Sequence, residues 1–162
     1  MFWYLTDLVS VCIIVWFAYP VLRFAETRDP AFLAMLVGMI FAEAGTKIVK
    51  IATATSKDAW LKRPDGARGC DALCAKGDVS GAPGFPSGHV TSTAFFFTYL
   101  AAINGSPQLL VAGGIGVTLA VAASRVIKKC HTPFQVAVGA AWGSVAAVIT
   151  YCAISGPRYA PL

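Results

Sequence analysis

Charged residues are scarce in this chain of 162 residues. Only 13% are Asp, Glu, Lys or Arg, whereas 57% are hydrophobic, and the mean hydropathy is +0.67. A soluble domain usually has about 25% charged and about 45–50% apolar residues. The composition therefore argues against a soluble domain and predicts an integral membrane protein. The length suits one domain over residues 1–162, and no internal repeat or low-complexity tract is present.

Two further absences exclude classes of partner. The net charge is +5, but no basic stripe alternates with aromatic residues, so we expect no nucleic-acid partner. Of the five cysteines, only Cys70 and Cys74 lie close together in a polar segment. Their spacing fits a helical turn, a small disulfide or half of a metal site. No second Cys/His pair has a suitable spacing, so we expect neither a metal nor a cofactor.

Long apolar runs predict an all-α bundle of about five transmembrane helices, because a spanning helix needs about 20 apolar residues. The first run has no basic region and no small-residue cleavage site, so we interpret it as an anchor rather than a signal peptide. A polar loop rich in Gly and Pro separates the second and third runs. The predicted helices cover about residues 2–22, 31–54, 87–103, 109–127 and 133–154, and the loop covers about 55–86.

The second predicted helix carries charges within its apolar run. Glu43, Lys47 and Lys50 follow at i, i+4 and i+7, which places them on one face. Charges at membrane depth normally face the bundle interior or reach for the interface. We expect Glu43 and Lys47 to form a buried structural pair. A channel or transporter that uses this pair is an alternative function.

Polar residues suited to an oxyanion stand at the ends of the predicted helices. Residues 86–89 read Pro-Ser-Gly-His and open the third helix. Residues 124–131 contain Ser-Arg, five residues and then His, and they connect the fourth helix to the fifth. Arg-Pro stands at residues 63–64 in the loop. Because all these helix ends lie on one membrane face, we expect the segments to converge there.

Each residue type in these segments suits a phosphate group. Arg63 and Arg125 can form forked, charge-assisted bonds to phosphate oxygens. Ser87 donates through its hydroxyl, and Gly88 lets its backbone amide approach the anion closely. Both open a helix, where free amides and the helix dipole favour an anion. Lys57 adds a further positive charge.

The three segments resemble the signature of the type 2 phosphatidic acid phosphatase superfamily, which is Lys-x6-Arg-Pro, Pro-Ser-Gly-His and Ser-Arg-x5-His-x3-Asp. The resemblance covers residues 57–135. It implies that His131 is the nucleophile and forms a phosphohistidine. It also implies that His89 protonates the leaving oxygen and then activates water. Histidine suits both tasks because its pKa lies near neutrality.

Two positions depart from this signature. Lys57 precedes Arg63 with five intervening residues instead of six, and Gln135 stands where the signature has Asp. The Gln135 amide oxygen can still accept a bond from the imidazole of His131 and select its tautomer. It cannot stabilise an imidazolium by charge, so we expect activity about 10- to 10⁴-fold lower than with a carboxylate. The candidate catalytic residues are His131, His89 and Gln135.

The leading hypothesis is a membrane phosphatase that needs no metal and acts on a lipid phosphate or a polyprenyl pyrophosphate. The main alternative is a catalytically weakened or inactive binding or scaffold protein, and a third is a vanadate-dependent haloperoxidase, which the short apolar chain disfavours. The lipid bilayer and the lipid substrate are the expected partners. The basic residues of the motif face would favour the cytoplasm, but several belong to the site. Bacterial relatives look outward-facing, so we expect an extracytoplasmic or luminal site.

Overall fold

A computed structural model describes residues 2–73, 75 and 77–155, and it confirms the all-α prediction. Within these ranges there are five α-helices, one short 3₁₀ helix over Ala59–Leu61 and no β-strand. The helices are α1 (Phe2–Thr27), α2 (Pro30–Ala52), α3 (Gly88–Ile103), α4 (Gln108–Ile127) and α5 (Pro133–Ser155).

Most predicted helix ends agree with the structure to within two residues, but α1 runs five residues beyond its predicted end. Pro20 lies inside α1 and does not stop it, because one proline removes only one helical hydrogen bond. The turn into α2 has the expected chemistry. Asp29 caps the helix by accepting a bond from the Ala31 amide at 2.9 Å, and Pro30 occupies the first helical position.

Four of these helices are long and apolar enough to cross a membrane, namely α1, α2, α4 and α5. The remaining predicted span, α3, has only 16 residues, which corresponds to about 24 Å. It lies at the centre of the bundle and buries most of its side chains, including Val90 and Phe95. The other helices therefore surround α3.

Two glycines bring α5 into backbone contact with α3. A Cβ atom at Gly143 would lie 2.2 Å from the Thr91 carbonyl oxygen, and one at Gly139 would lie 2.7 Å from that of Ser87. The Thr91 hydroxyl also donates to the Gly139 carbonyl oxygen at 3.1 Å. Small residues at membrane helix contacts permit this close approach. The contact holds the first turn of α3 against the start of α5.

The polar loop folds back over this end of the bundle. An isolated antiparallel bridge joins Lys62 to Pro83, and the Arg63 amide donates to the Ala82 carbonyl oxygen at 2.9 Å. The Gly84 amide donates to the Leu61 carbonyl oxygen at 2.8 Å. These bonds hold the backbone that carries Arg63 next to the segment that enters α3.

Three aromatic rings anchor the loop to α5. The ring of Trp60 lies edge-on to those of Phe85 and Phe134, with centroids 5.2 and 6.0 Å away. Phe85 and Phe134 stack at 5.8 Å. Aromatic pairs in these geometries stabilise a contact beyond the burial of their area. The loop is therefore attached to the helix that begins beside the candidate nucleophile.

Candidate active site

A cavity of about 600 Å³ opens at the end of the bundle where the loop and the helix ends meet. It is lined by Arg63, His89 and His131, the two histidines being the only ones in the chain. Three of the four residues that the topology placed together therefore line one cavity. The fourth, Arg125, is fully buried and does not line it.

His131 is buried and held by Gln135. The Gln135 amino group donates to the carbonyl oxygens of Trp60 and Lys62, each at 2.9 Å. Since a carbonyl oxygen only accepts, this pair fixes the orientation of the amide. The amide oxygen must then face the His131 Nδ1 atom, which lies 3.2 Å away. Nδ1 therefore carries the proton, and Nε2 keeps its lone pair.

The surroundings of His131 favour the neutral imidazole. Burial lowers the pKa of His131 well below its usual value, and Arg63, Lys50 and Arg125 lower it further through their positive charges. The bond to Gln135 acts in the opposite direction. These surroundings favour the neutral ring, which is the form in which an imidazole nitrogen can act as a nucleophile.

The first turn of α3 presents two buried polar atoms without a protein partner. Among the described residues, neither the Ser87 hydroxyl oxygen nor the His89 Nε2 atom has a hydrogen-bond partner. Such atoms are rarely left unpaired in a folded chain. They lie at the N-terminus of α3, where a helix favours an anion. Of these two residues, His89 lines the cavity and Ser87 does not.

Glu43, on α2, lies next to the N-terminus of α3, and its contacts differ from those predicted. It accepts a short hydrogen bond from the Ser92 hydroxyl, and among the described residues it makes no ion pair with Lys47, so the expected Glu43–Lys47 pair is wrong. A Cβ atom at Gly88 would lie 3.0 Å from a Glu43 carboxylate oxygen. The absence of a side chain at Gly88 therefore makes room for this carboxylate in the cavity wall.

Both arginines are attached to the residue that precedes His131. Arg63 Nη1 donates to the Cys130 carbonyl oxygen at 3.2 Å. Arg125 Nη2 lies 3.0 Å from the Cys130 sulfur and donates to the Gly69 carbonyl oxygen at 3.1 Å. Arg63 reaches the cavity, whereas Arg125 supports the backbone behind it. Both arginines were predicted to bind phosphate, but only Arg63 has access to the cavity.

Cys130 also forms a disulfide with Cys70, which excludes one of the alternatives that the spacing of Cys70 and Cys74 left open. The two Cα atoms are 5.5 Å apart, and 60 positions of sequence separate them. A Cys70–Cys74 bridge is therefore not formed, and Cys74 itself lies outside the described residues. The observed bridge ties the loop directly to the residue before His131. Sequence spacing gave no signal for it, since Cys130 stands alone in a short connection.

The family follows from a comparison with known proteins. The model of the PAP2 superfamily matches residues 31–158 of the chain, which include every site residue described above. The chain belongs to the PAP2 superfamily. No curated protein and no solved structure matches it significantly. Since members of the PAP2 superfamily are phosphatases, the match supports a phosphoester hydrolase in general.

The PAP2 signature includes a lysine. The sequence suggested Lys57 for this role, but the lysine at the cavity is another one. Lys57 is exposed and does not line the cavity. Lys50, on α2, does line it, and its charge acts on both histidines. The signal for Lys50 was present in the helical spacing of Glu43, Lys47 and Lys50, which turns this face of α2 toward the site.

The PAP2 site is rich in cations rather than in metal ligands. In the described part of the chain, no three His, Cys, Asp or Glu side chains are grouped so that they could hold a metal ion. Arg63, Lys47 and Lys50 instead bring positive charge to the cavity. Such side chains can bind the oxygens of a phosphate directly.

Proposed function

We propose that this PAP2 protein is a membrane-embedded phosphatase that needs no metal and hydrolyses a lipid phosphate or a polyprenyl pyrophosphate through a phosphohistidine. One observation carries the proposal. His131, with its Nδ1 proton bound to Gln135, and His89, with an unpartnered Nε2 atom, line one cavity beside Arg63. A nucleophile, a proton donor and a cation for the anionic oxygens are the parts that phosphoryl transfer requires.

In the first step, the lone pair of His131 Nε2 attacks the phosphorus atom. The bond between phosphorus and the leaving oxygen breaks, and that oxygen takes a proton from the imidazolium form of His89. Burial and the neighbouring cations lower the pKa of that ring to about 3, and the negative charge of a bound phosphate opposes this shift. Arg63 and Lys50 balance the charge on the phosphoryl oxygens. The product is an alcohol, or a phosphate ester from a pyrophosphate, together with phosphohistidine at His131.

In the second step, water attacks the phosphorus atom of the phosphohistidine. His89, now neutral, accepts a proton from the water. The bond from phosphorus to Nε2 breaks, inorganic phosphate leaves, and His131 returns to its neutral form with the proton on Nδ1. Gln135 keeps that proton in place throughout, but it supplies no negative charge to the phosphorylated ring.

A lipid is the preferred substrate class because apolar surface adjoins the site. A second cavity of about 490 Å³ shares Ile13, Glu43, Lys47 and Ala72 with the first. It continues between α1 and α2, two candidate membrane-spanning helices. A substrate with a charged head and an apolar tail fits both environments. The remaining residues of this second cavity are Ile14, Phe17, Ile40 and Ala44.

Phosphate release by the purified protein in detergent tests the proposal. Phosphatidic acid, a polyprenyl pyrophosphate and a water-soluble phosphate ester are offered in parallel, each with EDTA. We expect release that EDTA does not reduce and that is fastest for one of the two lipids. A folded protein that binds vanadate but releases no phosphate from any of the three would instead support the inactive binding protein.

We also propose that the site faces the extracytoplasmic or luminal side. The Cys70–Cys130 bridge supports this orientation, because disulfides persist in oxidising compartments and are rare in the cytosol. Trypsin added to intact cells is expected to cleave the loop after Arg68, which is exposed. Cleavage that requires permeabilising the plasma membrane alone, with internal compartments still closed, would place the site in the cytoplasm.

Replacing Lys50 with methionine is expected to lower kcat/KM by roughly 10- to 100-fold, because a hydrogen bond from a charged group contributes about 1.5–3 kcal/mol. Lys57→Met is the matched control, since it removes the same group from an exposed position outside the cavity. We expect its kcat/KM to stay close to that of the unaltered protein. A larger loss of kcat/KM in Lys57→Met than in Lys50→Met, measured in the same steady-state assay, would mean that Lys57 binds the phosphate.

A further inference from the structure

The side chain of Gln135 makes more contacts than tautomer selection requires. It is fully buried, and its oxygen accepts from His131 Nδ1 and from the Thr132 amide, both at 3.2 Å. Its amino group donates to the Trp60 and Lys62 carbonyl oxygens. A carboxamide has two N–H donors and one oxygen with two lone pairs. All four positions are therefore used.

The donated bonds reach the loop immediately before Arg63. Trp60 and Lys62 flank Leu61 at the end of the 3₁₀ helix, and the chain continues directly into Arg63. The same residue also binds the start of α3, since the Gln135 carbonyl oxygen accepts from the Ser87 amide at 3.2 Å. One residue thus contacts the nucleophile, the arginine-bearing loop and the oxyanion-binding turn.

We propose that Gln135 is a positioning residue that fastens the backbone of residues 60–62 to the His131 imidazole and so places Arg63 beside the phosphate. The inference rests on the proposed function, since it assigns Arg63 to phosphate binding. An aspartate at this position could not do the same. It has no donor when ionised, and its side chain is one methylene shorter than that of glutamine.

Gln135→Asp, which recreates the PAP2 signature, is therefore expected to lower activity. This expectation replaces the gain that the charge of a carboxylate alone predicts from the sequence. The two loop carbonyl oxygens would lose their donors and face a carboxylate. Arg63 would then no longer be held beside the phosphate, and a misplacement of about 1 Å can cost about 10²-fold in rate, so we expect kcat/KM to fall by roughly 10- to 100-fold. Gln135→Glu keeps the side-chain length but replaces the two N–H donors with a second carboxylate oxygen, so it should also lose activity.

The rate at which trypsin cleaves the loop measures how firmly the loop is held, and it does not depend on activity. Trypsin sites lie in the loop after Lys57 and Arg68, both exposed. We expect cleavage there to be roughly tenfold faster in Gln135→Asp and Gln135→Glu, since the loop opens more often. Gln108→Glu is the matched control, because it makes the same chemical change at an exposed residue at the start of α4. Its cleavage should not change.

Two further readouts separate positioning from a purely structural role. In Gln135→Glu, a carboxylate beside His131 should oppose the effect of Arg63, Lys50 and Arg125 on that ring. The acidic limb of the kcat/KM profile should then move to higher pH, with no such movement in Gln108→Glu. In the unaltered protein, ring ¹⁵N shifts of His131 should report the tautomer protonated at Nδ1.

Either of two results would overturn the proposal. One is a Gln135→Asp variant that releases phosphate at least as fast as the unaltered protein with loop cleavage unchanged. The other is a His131 ring protonated at Nε2 in the unaltered protein. If the unaltered protein releases no phosphate from any substrate, the proposed function fails. The tautomer and the cleavage rates still decide the role of Gln135.

Discussion

His131→Ala is expected to abolish phosphate release, with a fall in kcat of at least about 10³-fold. The substitution removes the nitrogen that attacks phosphorus, and loss of a covalent nucleophile removes the reaction path itself. Arg63 and Lys50 remain in the cavity, so vanadate should still bind. The measurement is phosphate release under saturating substrate, together with vanadate binding by the same preparation.

A labelling experiment identifies the nucleophile directly. Nitrophenyl phosphate that carries a radioactive phosphoryl group should label the unaltered protein with a phosphoramidate, which is stable to alkali and labile to acid. The leaving oxygen of this substrate needs no proton from His89. His131→Ala should take up no such label, whereas His89→Ala, the only other histidine change that the chain offers, should still take it up. Alkali-stable, acid-labile label on the His131→Ala protein would show that another residue is the nucleophile.

His89→Ala is expected to lower the rate of alkyl phosphate hydrolysis by about 10²- to 10⁴-fold, the usual contribution of a general acid. The effect should depend on the leaving group. An alkyl oxygen must be protonated as it leaves, whereas a nitrophenyl oxygen leaves without a proton. The initial burst of nitrophenol should therefore survive in the variant. Parallel assays with an alkyl and a nitrophenyl phosphate measure the difference.

The same variant tests the second role of His89. Without a base to activate water, the phosphohistidine formed from nitrophenyl phosphate should accumulate, and steady-state turnover should stay slow. A quenched-flow experiment would then find a burst near one equivalent of nitrophenol followed by a slow phase. An equal loss for both substrates without accumulated label would mean that His89 neither donates nor accepts the proton.

The helices were predictable because their signals are local. An apolar run long enough to cross a membrane predicts a helix wherever it occurs, and Pro30, Asn104 and Pro133 mark turns or helix starts in the sequence itself. The first helix is the exception, since it runs five residues past its predicted end. A proline weakens a helix by one hydrogen bond, and α1 continues past it. The shortness of α3 also depends on tertiary packing. Its apolar side chains pack against the other helices, so the helix need not be long enough to span the membrane.

The site could be predicted in part, because the alternation of helices brings particular chain segments to one face. That argument places His89, His131 and Arg63 together without any knowledge of side-chain packing, and the structure brings all three to one cavity. The alternation of helices does not predict how deeply a given side chain is buried within the bundle. Arg125 was therefore grouped with Arg63 although it lies buried behind the cavity wall.

Hydropathy, spacing and chain direction are enough to predict a helical membrane protein and the motif residues that meet at one end of the bundle. The packing of the folded chain was needed to find that Cys70 bonds to Cys130, that Lys50 and not Lys57 reaches the cavity, and that the Gln135 amide joins His131 to the loop. The disulfide and the bonds from Gln135 to the loop join residues 60 to 75 positions apart in the chain. Their geometry depends on how the loop folds over the helices, which no local pattern encodes.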